Sequence, residues 1–429
     1  METHDITSPE KMPYRRKLFL ILLLALGGGT IFKAMYLREV FYYPWNQFFE
    51  VTNTQSGFLM SWLGLVGIVS GAVAGVLVDR IRSPRNLLAA SYFAMALLAL
   101  WQSFRPAYGM LFISIGLMSF VGNGIFLVSM TKIVRLIADD KEQGSFFGIL
   151  ESGRGVSGSV LTFIAVTIVS LNDADALSIG FILRFDAAVY FLLGLVMLKL
   201  FPSGVGVIED AVPKKLSDLL SMLKCTRLWI AAVAMATIML VYNGASYLVP
   251  YLTDVYGMSA DNAAWIGMIR TYCLAFVAAP IVGFWADKIG SILKVMAMLF
   301  LPGAAILGVI AFSSPAVISL PVLIFLVLLL GAIVFGLRGI TYGQVNEIRI
   351  PRACTGTAMG ILLFVGFSPE AFIHIVFGHL MDRMGNDAYP VMFLIMGASL
   401  LLGAALVVLL HTGMRKLWWK VEEEAAQVR

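Results

Sequence analysis

The feature that most constrains this chain is a succession of apolar runs, each long enough to cross a bilayer core as a helix of ~20 residues. They fall at roughly 18–43, 56–79, 86–104, 107–134, 144–170 and 179–200. After a polar break they resume at roughly 227–253, 263–286, 291–313, 316–346, 354–381 and 388–411. Of the 429 residues, 59% are hydrophobic and only 13% charged, too little polar surface for a soluble protein of this length. The expected fold is an all-α membrane protein with twelve transmembrane helices. Cys225, Cys273 and Cys354 form no spaced set and the four histidines are scattered, so neither a disulfide framework nor a metal site is expected. The first run follows a basic cluster of Lys11, Arg15, Arg16 and Lys17, as in a signal peptide. No small-residue cleavage site follows convincingly, and the run reads as a retained first helix.

The break divides the chain into an N-terminal bundle at 1–200, a linker at 201–226 and a C-terminal bundle with its tail at 227–429. The linker holds Glu209, Asp210, Lys214, Lys215 and Asp218. One set of loops carries Arg15, Arg16 and Lys17, then Arg80, Arg82 and Arg85, Lys132, Arg135 and Lys141, and later Lys288, Lys294, Arg349, Arg352, Arg415, Lys416 and Lys420. The opposite set has little beyond Arg105 and Arg383. By the positive-inside bias, both termini and the linker are expected on the cytoplasmic side. The halves also echo one another. GVLVDR at Gly75 recurs as GFWADK at Gly283, Tyr36 precedes Pro44 as Tyr242 precedes Pro250, and GSFFGIL at Gly144 recurs as GTAMGIL at Gly356. These pairs lie about 206–212 residues apart in the same order, as a duplicated six-helix unit produces.

Charges inside apolar runs are costly and mark candidate functional groups. The fifth run carries Glu151 and Arg154, three apart and so on one helical face, among Gly148, Gly153, Gly155 and Gly158. Arg154 lies roughly 15 Å from the start of that run and is the best candidate ligand for an anion, since a guanidinium fork fits carboxylate, phosphate or sulfonate. Glu151 either holds it or releases it on protonation; a structural ion pair is the plainer alternative. In the first run Lys33 stands roughly 22 Å from Leu18 beside Tyr36, a candidate substrate contact, while Arg38 is expected at the outer interface beside Glu39. Tyr242, Asn243 and Gly244 interrupt the seventh run with polar groups. Arg270 and Arg338 lie deep in the eighth and tenth, and Arg338 shares a helical face with Tyr342 and Asn346. Glu347 is expected to pair with Arg349 or Arg135. Glu370 and His374, four apart, form a candidate proton-handling pair, with Pro369 expected to kink the helix. Lys33, Arg154, Arg270 and Arg338 outnumber Glu151 and Glu370, which favours an anionic solute.

Six plus six helices with G-x-x-x-D-[RK] after the second of each half resemble the major facilitator superfamily over essentially the whole chain. That resemblance implies two pseudo-symmetric six-helix bundles that open alternately to either side of the membrane. It makes Asp79, Arg80, Arg85, Asp287 and Lys288 gate elements rather than substrate ligands. PWNQFFEVTNTQSGF, DRIRSPR and KEQGSFFGILESGRGVSG are similar to the organophosphate/phosphate antiporter and anion–cation symporter branch. Where its phosphate antiporters carry an arginine in the first and seventh helices, this chain has Tyr36 and Tyr242, which do not neutralise a phosphate dianion. Arg154 stands where those antiporters have a histidine, and Lys132 at a basic position of the fourth helix. The expected function is secondary transport of a small organic anion across the inner membrane, by proton symport. Arg154, with Arg338 or Arg270 from the other half, is expected to hold the anionic group, and Tyr36, Tyr242 and Asn243 its uncharged part. Glu151, or Glu370 with His374, would handle the proton. Antiport, or export of an amphipathic compound, is the runner-up, and a transport-silent sensor acting through the tail LWWKVEEEAAQVR a distant third. No nucleotide loop, metal cluster or nucleophile–base spacing points to an enzyme or to ATP drive. The expected partners are the anionic substrate, protons and the lipid bilayer, with no cofactor, no nucleic acid and a monomeric working unit.

Overall fold

The computed structural model describes residues 12–80, 84–137, 143–171, 176–202, 224–350 and 355–427. Among them the chain is helical, and its helices group into twelve transmembrane spans. Eight stretches are apolar and long enough to cross a membrane, the last of them, Ala358–Gly413, holding the eleventh span and the twelfth. Tyr14–Thr30, Asn53–Arg80 and Pro84–Gln102 supply the first three spans. The linker lies almost wholly outside the described residues.

Packing divides the chain into two compact units, Met1–Ala211 with Met258–Cys273, and Val212–Gly257 with Leu274–Arg429. Their internal pairings match. In the first unit the first span packs on the fifth, the second on the fourth and the third on the sixth. In the second unit the seventh packs on the eleventh, the Leu274–Ile289 half of the eighth on the tenth, and the ninth on the twelfth. The repeated motifs are thus the trace of one packing pattern used twice.

Several spans expected to be continuous are interrupted. The first helix ends at Thr30, whose hydroxyl donates to the Gly27 carbonyl at 2.9 Å. A non-helical turn covers 31–36, followed by the short helical turn Leu37–Glu39 and the helix Tyr42–Phe48, with Pro44 in its first turn. Gly27, Gly28 and Gly29 weaken the helix just before the break. One backbone donor freed there is satisfied from the sixth span, where the Tyr190 hydroxyl accepts from Ala34 N at 3.0 Å. The seventh span breaks at the corresponding place: helix Thr226–Gly244 passes into a tighter turn at Ala245–Tyr247 before Leu248–Asp254. The fourth and eighth spans carry π-helical stretches at Phe120–Phe126 and Ile269–Cys273, which shift the register of the side chains beyond them. In the eleventh span Pro369 opens a tight turn, Ser368–Ala371, and the helix restarts at Ile373.

The GFWADKIG motif has a plain local cause. Gly290, at φ +71°, ends the helix Leu274–Ile289 with its amide donating to Ala286 O at 2.9 Å, and Ser291 caps the next helix by accepting from Lys294 N at 3.2 Å. Glu347 completes that cap. It accepts from Ser291 Oγ at 2.6 Å and from Leu293 N at 3.0 Å, a carboxylate at the positive end of the helix Ile292–Ala311.

Candidate functional site

In the first unit the candidate groups converge on the break in the first span. The backbones of the first and fifth spans approach until a Cβ on Gly29 would stand 2.2 Å from the Arg154 carbonyl oxygen. Ser157 Oγ donates across the same seam to Ala25 O at 3.1 Å. Arg154 is held from two sides: its Nε donates to Gly28 O at 3.2 Å, and its Nη1 lies 2.6 Å from Glu151 Oε1. Its guanidinium also stands 5.6 Å from the Phe32 ring centroid. The Arg154 side chain is 22% exposed and that of Glu151 65%, so the carboxylate faces open space while the guanidinium sits against protein.

Lys33 lies on the non-helical turn, 9% exposed, with its ammonium 3.2 Å from the Tyr272 ring centroid. A Cβ on Gly158 would stand 2.8 Å from Lys33 Nζ, so the absence of a side chain there gives the ammonium its room. Tyr36 is half-buried, and Asn123 of the π-helical stretch reaches its hydroxyl at 3.5 Å. Arg270, expected to act with the C-terminal half, packs within the first unit, 3% exposed on the π-helical stretch of the eighth span.

Two groups escaped the sequence reading. Arg38, expected at the outer interface, is fully buried, with Nε donating to Ser56 Oγ at 3.0 Å and its guanidinium 4.4 Å from the Tyr42 ring centroid. Once the first span is broken, counting residues along a straight helix no longer places it. Asp186, 2% exposed in the sixth span Leu177–Leu200, lines one cavity with Lys33, Tyr36, Thr162 and Tyr272. Its signal was legible as a carboxylate inside an apolar run.

In the second unit, the Arg338 guanidinium stacks 4.2 Å from the Tyr242 ring centroid, and Tyr242 meets Phe335 edge-on at 5.5 Å. Asn243 is 3% exposed, and its Nδ2 has no hydrogen-bond partner among the described residues. The helix carrying Arg338 ends at Ile340 and tightens over Thr341–Gly343, so Tyr342 does not continue its face at regular helical spacing; the Asn346 side chain lies outside the described residues. Glu370 sits in the tight turn and His374 in the helix beyond it, so the regular helix that would stack them is broken between them. His374 is buried, its carbonyl accepting from the Tyr247 hydroxyl at 2.8 Å and its ring stacked at 6.1 Å on that tyrosine. Glu347 caps a helix, as described above, and the side chain of Arg135, one of its two expected partners, lies outside the described residues. Glu347 Oε1 also lies 3.9 Å from His411 Nδ1.

Of the gate candidates, the Asp79 and Arg80 side chains lie outside the described residues. Arg85 Nε donates to the neighbouring Asn86 Oδ1 at 3.3 Å, and Asp287 and Lys288 are exposed at the end of their helix. The Lys132 side chain is half-buried.

Two helical units with matching internal pairings, and leading helices broken where charged and polar side chains are buried, define a multi-pass membrane transport protein. The chain belongs to the Major Facilitator Superfamily, whose family model matches residues 18–373. It is 29% identical over 407 residues to Inner membrane protein YihN of Escherichia coli (strain K12), covering 92% of this chain and 96% of that one. It is 28% identical over 396 residues to Inner membrane protein YqcE of the same organism, covering 90% and 92%. Among solved structures it resembles a bacterial homologue of the human lysosomal transporter Spinster, in an inward-facing, unoccupied conformation, with a TM-score of 0.72 at 16% identity, covering 94% of this chain and 98% of that one. It also resembles a variant of the nucleoside transporter NupG, with a TM-score of 0.74 at 16% identity, covering 92% and 99%. At that identity the likeness is one of fold.

Proposed function

We propose that this protein is a secondary transporter of the inner membrane that moves a small organic anion by alternating access, together with a proton. The inner-membrane assignment follows the names of its two Escherichia coli relatives, and the cytoplasmic termini follow the bias of lysine and arginine among its loops.

One observation carries the anion. Arg154 sits mid-span with one donor committed to Gly28 O and one to Glu151, which leaves three of a guanidinium's five N–H groups without a partner among the described residues. A cation anchored in this way is pre-organised, and its remaining fork suits a carboxylate, phosphate or sulfonate. Lys33 adds a second positive charge nearby, and Tyr36 a hydroxyl. In the second unit the corresponding polar set is Tyr242, Asn243 and Arg338, with the amide of Asn243 placed to donate to a solute. The tyrosines at 36 and 242 suit sugar-like or carboxylate groups better than a phosphate dianion. Exposed Glu151 acts as the displaceable holder of Arg154, and the proton is handled in the second unit by half-buried Glu370 with buried His374. Asp287 and Lys288, with Asp79, Arg80 and Arg85 of the first half, act at the gate.

The test is counterflow in proteoliposomes with a panel of sulfonated, phosphorylated and carboxylated sugars and short acids, beside neutral sugars. Arg154→Gln is expected to lower anion counterflow at least about a hundredfold, the loss of a charge-assisted contact of about 3 kcal/mol. Counterflow of neutral solutes alone, indifferent to Arg154→Gln, would reduce the Arg154–Glu151 pair to a structural tie.

A further inference from the structure

The sixth span buries a carboxylate with no role in the account above. Asp186 is 2% exposed, and its Oδ2 meets no hydrogen-bond partner among the described residues. An ionised carboxylate in such a place is costly unless a counterion stands by, and Lys33, on the same cavity wall, interacts with it electrostatically. The cavity that both line measures about 10 Å³. That is at the lower limit for one water molecule and far below the few hundred Å³ of an organic-ligand pocket. A site of that size suits a proton rather than a solute.

The surroundings supply the rest of the device. Lys33 sits on the non-helical turn 31–36, where a shift does not have to break a regular helix. Its ammonium rests on the Tyr272 ring at 3.2 Å, a support that holds a cation without neutralising it. The other charged groups acting on Lys33 are Glu39, farther along the same broken segment, and Arg154 of the fifth span. Around Asp186 the further titratable groups are Tyr190, one turn on and itself within the influence of Tyr92 and Tyr272, and Tyr36 and Tyr272, which line the same cavity.

Resting on the transport reading above, we propose that Asp186 is a proton-carrying site of the transport cycle, with Lys33 as its switchable counterion. A proton from water adds to the carboxylate as its O–H bond forms, and the pair changes from net zero to one positive charge. That charge lies beside Lys33 and within the field of Arg154, so proton binding strengthens anion binding, and by reciprocity the anion strengthens proton binding. When the anion leaves on the far side, the O–H bond breaks, the proton returns to water and Asp186 again holds Lys33. One proton then accompanies one negative charge.

Two measurements test this, one of them independent of any substrate. In nanodiscs, infrared difference spectra between acidic and alkaline pH are expected to show a protonated-carboxyl C=O band that Asp186→Asn removes and Asp186→Glu retains. An unchanged band in Asp186→Asn overturns the proposal, whatever the substrate panel gives. In proteoliposomes, with an acid that counterflows on wild type, Asp186→Asn is expected to keep counterflow. It should lose uphill uptake driven by a pH gradient, falling from about tenfold accumulation per pH unit to none, with Asp186→Glu restoring part of it. Gradient-driven uptake that survives in Asp186→Asn also overturns it. If no acid in the panel counterflows, the anion reading fails while the infrared result still decides the proton site.

Discussion

Gly29 shows how little room one residue leaves. A Cβ there would meet Ser157 Oγ at 2.0 Å and the Arg154 carbonyl oxygen at 2.2 Å, and a backbone atom has nowhere to retreat. Gly29→Leu is therefore expected to force the first and fifth spans apart at a cost of about 1–3 kcal/mol or more, seen as a lower unfolding temperature in detergent and a lower folded yield. A variant that unfolded like wild type would mean that the seam is loose. The fifth-span glycines were legible in the sequence as residues of close packing; their partners in the first span were not, because two backbones meet there through tertiary docking. Arg154 was legible for a different reason, since a charge in an apolar run stands out whatever surrounds it.

Among the elements, the first span departs most from its sequence pattern. Apolar residues run on through 31–41, yet the helix stops at Thr30, because side-chain apolarity does not report where backbone hydrogen bonds go. The break is stabilised from outside, by Tyr190 taking the amide of Ala34. Tyr190→Phe leaves that buried N–H unsatisfied and is expected to cost about 1–3 kcal/mol, read as a drop in thermal stability. Unchanged stability would show that the turn satisfies itself. Once the helix is broken, the side chains beyond it cannot be placed by counting along an axis, and for that reason Arg38 is found in the interior instead of at an interface. In the eleventh span Pro369 announced its break, since a residue without an N–H disturbs any helix it enters.

For the whole molecule, the duplicated pairing of spans ties both ends of the chain to one topology. With an even number of spans and a consistent lysine and arginine bias, both termini are expected on the cytoplasmic face. Reporter fusions at residue 1 and at residue 429, one active only in the cytoplasm and one only outside it, check this directly. An external signal from either end would refute it. The repeated motifs at Gly75 and Gly283 were legible because a helix end needs particular residues wherever it occurs. That the third span pairs with the sixth and the ninth with the twelfth was not, since lipid-facing and buried apolar residues have the same composition.

The sequence by itself determined that this chain is a twelve-span membrane protein with a repeated six-helix pattern, and it singled out charges such as Arg154 inside apolar runs. Those conclusions follow from the cost of polar groups in hydrocarbon, a cost each segment bears alone. Only the tertiary structure decided which charges meet. Arg154 rests on Gly28, Lys33 and Asp186 line one cavity, and Glu347 caps a neighbouring helix, because each arrangement joins residues far apart in the chain through helix breaks and register shifts that hydropathy does not record.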